Sequence, residues 1–411
     1  VNLRANTMTL GVASGLLAGG GAFVFLEGLD VMTSGRDTWS WLLWLLPAVG
    51  LMWGVVHQRL STHDSLARAT GGTSVVINEA RRPHQGISPW QAPLVLVGTW
   101  AAHLTGASVG REGVGLQLSA SLSEHVARWG RLDREQRRVL LVGAIAGGFG
   151  AVFGVPWAGA VFALEVVGRP RRPLACVVVA LIASFIGDQV VRRLGHAHAI
   201  WPTLRPGVDL GLALRVAGLG VLTAMTAWCF VTGVERLRSL WTRVIGVGAL
   251  RPAVGGAATV ALALVWGREY LGLSLPLLEA AVAGSDSTWT IPLLKVVFTV
   301  VALASGFPGG EVTPLFVIGA SLGAAVASPL GMDPAVAATV SMVSLFAAAS
   351  GAPLASAVMA AELFGSGLAG HALVACAVAA TLNRRRRLYP AHGERQRVLS
   401  TRMGSWRGPR I

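Results

Sequence analysis

"GVPWAGAVFALE", residues 154–165, returns as "GAPLASAVMAAE", residues 351–362, without a gap and at an offset of 197. Seven of the twelve positions are identical, Pro156 with Pro353 and Glu165 with Glu362 among them. A weaker pair precedes it. "GREGVGL" aligns with "GGEVTPL", which sets Glu112 against Glu311, and "ASL" recurs at 120–122 and 320–322. Each half therefore runs through a glutamate loop, an apolar helix and a G-x-P helix ending in Glu. Two matches in the same order read as a duplicated fold. Short segments interrupted by Gly or Pro in matching places of two halves mark a transport site built from broken helices.

The composition around the repeats agrees. Of 411 residues, 53% are hydrophobic and only 13% charged, where a soluble chain carries about a quarter charged. Apolar runs such as "MTLGVASGLLAGGGAFVFLEG", "WLLWLLPAVGLMWGVV" and "VAGLGVLTAMTAWCFVTGV" recur, and a spanning helix needs roughly 20 mainly apolar residues. The chain reads as an all-α polytopic membrane protein. No small-residue cleavage site follows the first apolar run, so that run is expected to be the first helix rather than a signal peptide.

The net charge of +14 would suggest nucleic acid in a soluble protein. Here the basic stretches, "RLDREQRR", "GRPRRP" and "NRRRRLYPAHGERQR", lie between or after apolar runs, where arginine-rich loops face the cytoplasm and anionic lipid. No nucleic-acid module accompanies the charge, so the expected surface partner is membrane lipid, not nucleic acid. Cys176, Cys229 and Cys376 are too far apart for a disulfide framework or a metal spacing and read as small packing residues. With no HExxH and no cysteine cluster, neither a metal nor a cofactor is expected.

The chemistry concentrates at the glycine-flanked carboxylates. An ionisable residue inside a membrane protein is a functional candidate. Glu112 precedes the apolar run "GVGLQLSASLSEHVA" and so should start a helix, whose N-terminus favours negative charge. Such a place can hold the carboxylate or a small anion in its stead. Burial favours the neutral carboxyl and the helix start favours the charged one, a balance suited to exchanging an anion against a proton. Glu311 is expected to begin the matching helix of the second half. Lys295, the only lysine in the chain, reads either as a snorkelling helix-end side chain or, with Arg111, as a source of positive potential for anions. Glu165 and Glu362 are expected in structural or vestibule roles.

A second class of function has to be weighed. "GASVG", 106–110, fits G-x-S-x-G, the nucleophile elbow of α/β-hydrolases, which needs a strand before the serine and a distant base. Ser108 instead leaves a segment of helical composition, and His103 is five residues away, so the pattern is weak in so glycine-rich a chain. The protein is read as a transporter, not an enzyme.

"GREGVGLQLSASL", "GVPWAGAVFALE", "GFPGGEVTPLFVIGASLGA" and "GAPLASAVMAAE" together resemble the CLC family of anion channels and anion/proton antiporters. The likeness runs from about Ser74 to Tyr389. It implies a CLC-type fold of two inverted repeats with tilted and broken helices, here a single transmembrane domain over 1–390 with halves at about 40–200 and 208–390, and a flexible basic tail over 391–411. It also implies a homodimer with one anion pathway per subunit. The family's G-R-E-G-P carries the gating, proton-carrying glutamate, which falls on Gly110, Arg111, Glu112 and Gly113, with Val114 where proline is usual. The family's G-S-G-I-P loop falls on "GTSVV", 72–76, putting Thr73 in the serine's place. Its G-x-F-x-P motif falls on Gly310, Glu311, Val312, Thr313 and Pro314, and its late tyrosine on Tyr389. Where chloride/proton exchangers carry a second, inward glutamate, this chain has Val166. Glu311 inside the anion motif resembles the fluoride-exporting branch. The resemblance thus implies a fluoride/proton antiporter of the bacterial cytoplasmic (inner) membrane, with a chloride/proton exchanger or a passive anion channel as the alternatives.

Overall fold

The computed structural model describes residues 6–60, 72–168, 171–207 and 210–389. The tail expected over 391–411 lies outside the described residues. The described residues form sixteen α-helices and no β-strand beyond one isolated bridge. In order they are α1 (Thr7–Thr38), α2 (Leu46–Leu60), α3 (Gly72–Arg81), α4 (Gln91–Leu104), α5 (Glu112–Trp129), α6 (Arg134–Phe153), α7 (Pro156–Val167) and α8 (Pro173–Arg193). The second half follows with α9 (Leu210–Val244), α10 (Leu250–Trp266), α11 (Leu275–Val282), α12 (Thr290–Ser305), α13 (Val312–Ala327), α14 (Pro334–Ser350), α15 (Pro353–Phe364) and α16 (Ala369–Leu382).

Five described segments are long and apolar enough to cross a bilayer: Thr7–Thr38, Ser40–Leu60, Arg134–Phe153, Pro173–Arg193 and Leu210–Val244. Many of the others, such as Val312–Ala327 and Pro353–Phe364, are apolar but shorter. Helices that stop at membrane depth are tolerated where their ends are buried in protein or line a cavity. Tryptophans sit exposed at helix ends, as at Trp39, Trp129, Trp266 and Trp289, which suits the interfacial belt where an amphipathic ring meets headgroups.

The start of each repeat helix has an identifiable cause. Asp133 caps α6 in a capping box with Gln136, and Asp333 caps α14 by accepting from the Val336 N–H. Both helices end at a left-handed glycine, Gly154 at φ 72° and Gly351 at φ 78°, where a side chain would be strained. Proline opens α7 and α15, its missing N–H costing nothing at the first helical position.

These landmarks correct the sequence alignment of the glutamates. Gly110 pairs with Gly310 and Asp133 with Asp333, both 200 apart, whereas Gly154 and Gly351 lie 197 apart. The difference is absorbed by α14, which has 17 residues against 20 in α6. With the register of 200, Arg111 and Glu311 are equivalent N-cap residues, and Glu112 corresponds to Val312 as first residue of its helix. Glu112 and Glu311 are therefore not repeat mates, and Glu311 precedes α13 rather than beginning it.

The two halves meet through three reciprocal contacts. Gly110 and Gly310 exchange backbone hydrogen bonds of 2.5 and 2.7 Å in an antiparallel bridge. Glu165 at the end of α7 accepts from Leu354 and Ala355 N–H at the start of α15 (3.1 and 2.9 Å). Glu362 at the end of α15 accepts from Trp157 and Ala158 N–H at the start of α7 (2.8 and 2.7 Å). Each glutamate satisfies N–H groups that a helix start leaves unpaired. This exchange is the structural role expected for the pair. Third, Phe149 and Phe346, equivalent under the offset of 197, stack at 6.0 Å between centroids. Phe162 and Phe316 complete the cluster around them. Exchange in which i contacts j as j contacts i is the mark of a two-fold relation, here within one chain. It brings the starts of α5 and α13 face to face in the interior.

The three cysteines are free, with Cys176 and Cys376 buried, but Cys229 is exposed on α9. It is thus not the packing residue its apolar neighbours suggested.

Candidate anion site

Three helix starts converge on one place. Glu112 is 0% exposed, and its carboxylate is held from across the halves as well as by its own N-cap. It accepts from Thr313 N–H, in the first turn of α13, at 3.0 Å and from the Thr313 hydroxyl. Arg111 adds its backbone N–H at 3.2 Å and its Nε at 3.3 Å. The side chain of the first half therefore occupies the anion-favouring N-terminus of the second half.

Glu311 turns the other way. Its carboxylate accepts from the hydroxyl of Tyr389, which is only 5% exposed although its sequence neighbours are arginines. The segment after α16 is tied down there by Leu388 N–H to Ala349 O (2.8 Å) and Asn383 Nδ2 to Ala348 O (3.0 Å). Val312 is buried beside Glu311.

Thr73 lies in the first turn of α3, and its hydroxyl donates to Gly113 O at 3.3 Å. The approach is possible because residue 113 is glycine: a Cβ there would lie 2.8 Å from Thr73 Oγ1 and 3.4 Å from Gly310 Cα. Gly110 is similarly confined, since its Cβ would meet Pro314 Cδ at 2.8 Å. The anion-site residues expected from the motifs, Thr73, Gly110, Arg111, Glu112, Gly113, Glu311, Val312, Thr313 and Tyr389, thus belong to one connected cluster.

Two features were not assigned from the motifs. Gln117, one turn after Gly113, bonds both Gly113 O and Thr73. Lys295 is 0% exposed, which excludes a snorkelling position. Its Nζ reaches Ser108 Oγ (3.0 Å), Tyr270 O (3.1 Å), Gly272 O (2.8 Å) and Ser274 Oγ (2.8 Å). The loop leading to Glu112 is thereby anchored by a buried lysine. Ser108 also meets Thr299 Oγ1 at 3.0 Å, while His103 Nδ1 bonds Thr99 O within its own helix. Among the described residues Ser108 has no histidine partner, and it is 0% exposed, so it reads as a tie between α12 and the loop.

Glu27, Asp30 and His196, on α1 and the segment after α8, place their ligand atoms within 4.8 Å of one another. A 2.9 Å contact of His196 Nδ1 with Glu27 accounts for the grouping.

Residues 60–384 match the family model described as "Voltage gated chloride channel". A "Chloride/fluoride channel protein" of Pseudomonas syringae pv. tomato is 37% identical over 370 residues, covering 88% of this chain and 80% of that protein. The chain belongs to the CLC family. Among solved CLC structures, a "CLC-type fluoride/proton antiporter" superposes with a TM-score of 0.87 at 29% identity, covering 93% of this chain and 96% of that one. A "slow cyanobacterial Cl-/H+ antiporter" superposes with a TM-score of 0.83 over 99% of this chain and 100% of the other. At 19% identity it speaks for the fold alone. The protein is accordingly a membrane protein with the CLC fold, two inverted repeats whose broken helices meet in the interior.

Proposed function

We propose that the protein exports fluoride across the bacterial cytoplasmic membrane in exchange for protons, as a homodimer with one pathway per subunit. The observation that carries this reading is the capture of the Glu112 carboxylate by Thr313 N–H and hydroxyl. A carboxylate seated in an anion's place leaves it when protonated, because the neutral acid no longer gains from the helix start. An anion then enters as the proton departs with the side chain. Arg111, Gly110 and Gly113 line the first-half side of the site, and Val312, Thr313 and Tyr389 the second-half side.

Fluoride fits the donors. It is small and strongly hydrated, so it needs close, strong hydrogen-bond donors to replace water. The Thr313 N–H and hydroxyl, the Thr73 hydroxyl and the Tyr389 hydroxyl are of that kind. Fluoride is also basic enough to share a proton with a carboxylic acid, which suits a site holding Glu112 and Glu311. The name of the fluoride/proton antiporter structure supports the same assignment, and the name of the Pseudomonas relative includes fluoride beside chloride.

The test is flux from liposomes loaded with fluoride or chloride, with anion and proton movement followed together. The proposal expects fluoride efflux accompanied by proton uptake, and much slower chloride efflux. Chloride leaving as fast as fluoride would refute the selectivity and point to a chloride/proton exchanger. Fluoride leaving without protons would point to a passive channel.

A further inference from the structure

We infer that Gln117 is a positioning residue that makes the Thr73 hydroxyl a strong donor for the anion, and so contributes to the preference for fluoride; this rests on the reading above. Gln117 is 6% exposed on α5. Its Nε2 donates to Gly113 O at 3.0 Å and to Thr73 Oγ1 at 3.3 Å. Its Oε1 accepts from Gln91 Nε2 at 3.2 Å, and Gln91 is itself 0% exposed.

The direction of this chain follows from its end. The Gly113 carbonyl can only accept, so the Gln117 amide must turn its nitrogen toward it. Its oxygen then faces Gln91, which must donate. The bonds therefore run one way, Gln91 to Gln117 to Thr73, and hydrogen bonds aligned in series polarise one another in a low-dielectric interior. With its oxygen engaged by Gln117, the Thr73 hydroxyl is left as a donor.

That donor is also free to turn. The Thr73 hydroxyl donates to Gly113 O. A buried carbonyl abandoned by its partner is costly, but Gly113 O lies within α5 and keeps its helical bond from the Gln117 backbone N–H. The hydroxyl can thus rotate from Gly113 O to an arriving anion without orphaning the carbonyl. A small, hard anion gains most from a donor strengthened in this way.

The test is a double-mutant cycle in liposomes, reading fluoride KM, turnover and the ratio of fluoride to chloride flux for wild type, Gln117→Met, Thr73→Val and the double variant. Gln117→Met should raise fluoride KM about fivefold, the loss of one ordinary hydrogen bond, with turnover and the proton-to-fluoride ratio little changed. The fluoride preference should fall with it. In the Thr73→Val background the same change should have almost no effect, because the hydroxyl it acts through is gone. An unchanged KM, or an equal shift in both backgrounds, would overturn the inference. If Gln117→Met does not fold, Gln91→Met, one bond further from Thr73, should give a smaller shift of the same sign that again vanishes in Thr73→Val; persistence of the shift there would overturn it. Equal chloride and fluoride flux in the wild type would refute the fluoride reading alone. The cycle is then read on chloride, where an additive result would still overturn the coupling.

Discussion

At the scale of single residues, the site depends on which way two carboxylates point. Glu112 reaches across to Thr313, and Glu311 reaches back to Tyr389. The residues were legible because glycine, charge and helix start coincide in "GREG" and "GGEV". Their relation was not, because an alignment by glutamate alone is one residue out of register. The Gly110–Gly310 bridge and the Asp133 and Asp333 caps show Glu311 standing where Arg111 stands. Glu112→Gln keeps the size and removes the exchangeable proton. It should abolish proton movement coupled to fluoride, and persisting proton flux in that variant would identify another carrier. Gly113→Ala puts a Cβ 2.8 Å from Thr73 Oγ1. It should weaken fluoride binding by about tenfold by displacing that hydroxyl from the proposed anion position, measured as KM in the same assay. Gln117 escaped notice in the sequence because a glutamine on an apolar helix carries no motif, and its partners come from α3 and α4.

At the scale of helices, the matched segments "GVPWAGAVFALE" and "GAPLASAVMAAE" exposed the repeat because prolines and glutamates fix their register. The three residues missing from α14 were invisible, since that helix is apolar and buried along its length and offers no landmark. What the glutamates do became plain only when α7 and α15 lay side by side. Each closes the other's start with two charge-assisted hydrogen bonds. Glu362→Ala should lower stability by about 2 kcal/mol, read as a lower thermal midpoint in detergent. Glu165→Ala should do the same, while Glu235→Ala, at an exposed ion pair with Arg386, should cost less than about 1 kcal/mol. Lys295→Met would test the other tie. Losing the anchor on Ser108 should slow turnover of both anions and reduce stability, whereas a pure field effect would alter KM alone.

At the scale of the molecule, the all-α membrane class followed from composition and run length, and the broken helices from glycine and proline. The meeting point of the halves did not, because apart from Glu165 and Glu362 it is made by backbone groups and by aromatic rings that any apolar sequence could supply. The consequence of that architecture is that no single helix owns the site. The Glu112 carboxylate belongs to one half and its Thr313 donors to the other, so in the proposed exchange anion binding and proton release share one contact. The most direct test of this coupling sets a proton gradient against fluoride. In vesicles with equal fluoride on both sides and an imposed pH difference, with the membrane potential clamped, fluoride should move in the direction opposite to proton flow and build up a gradient of its own. No net fluoride movement under that pH difference would contradict the account.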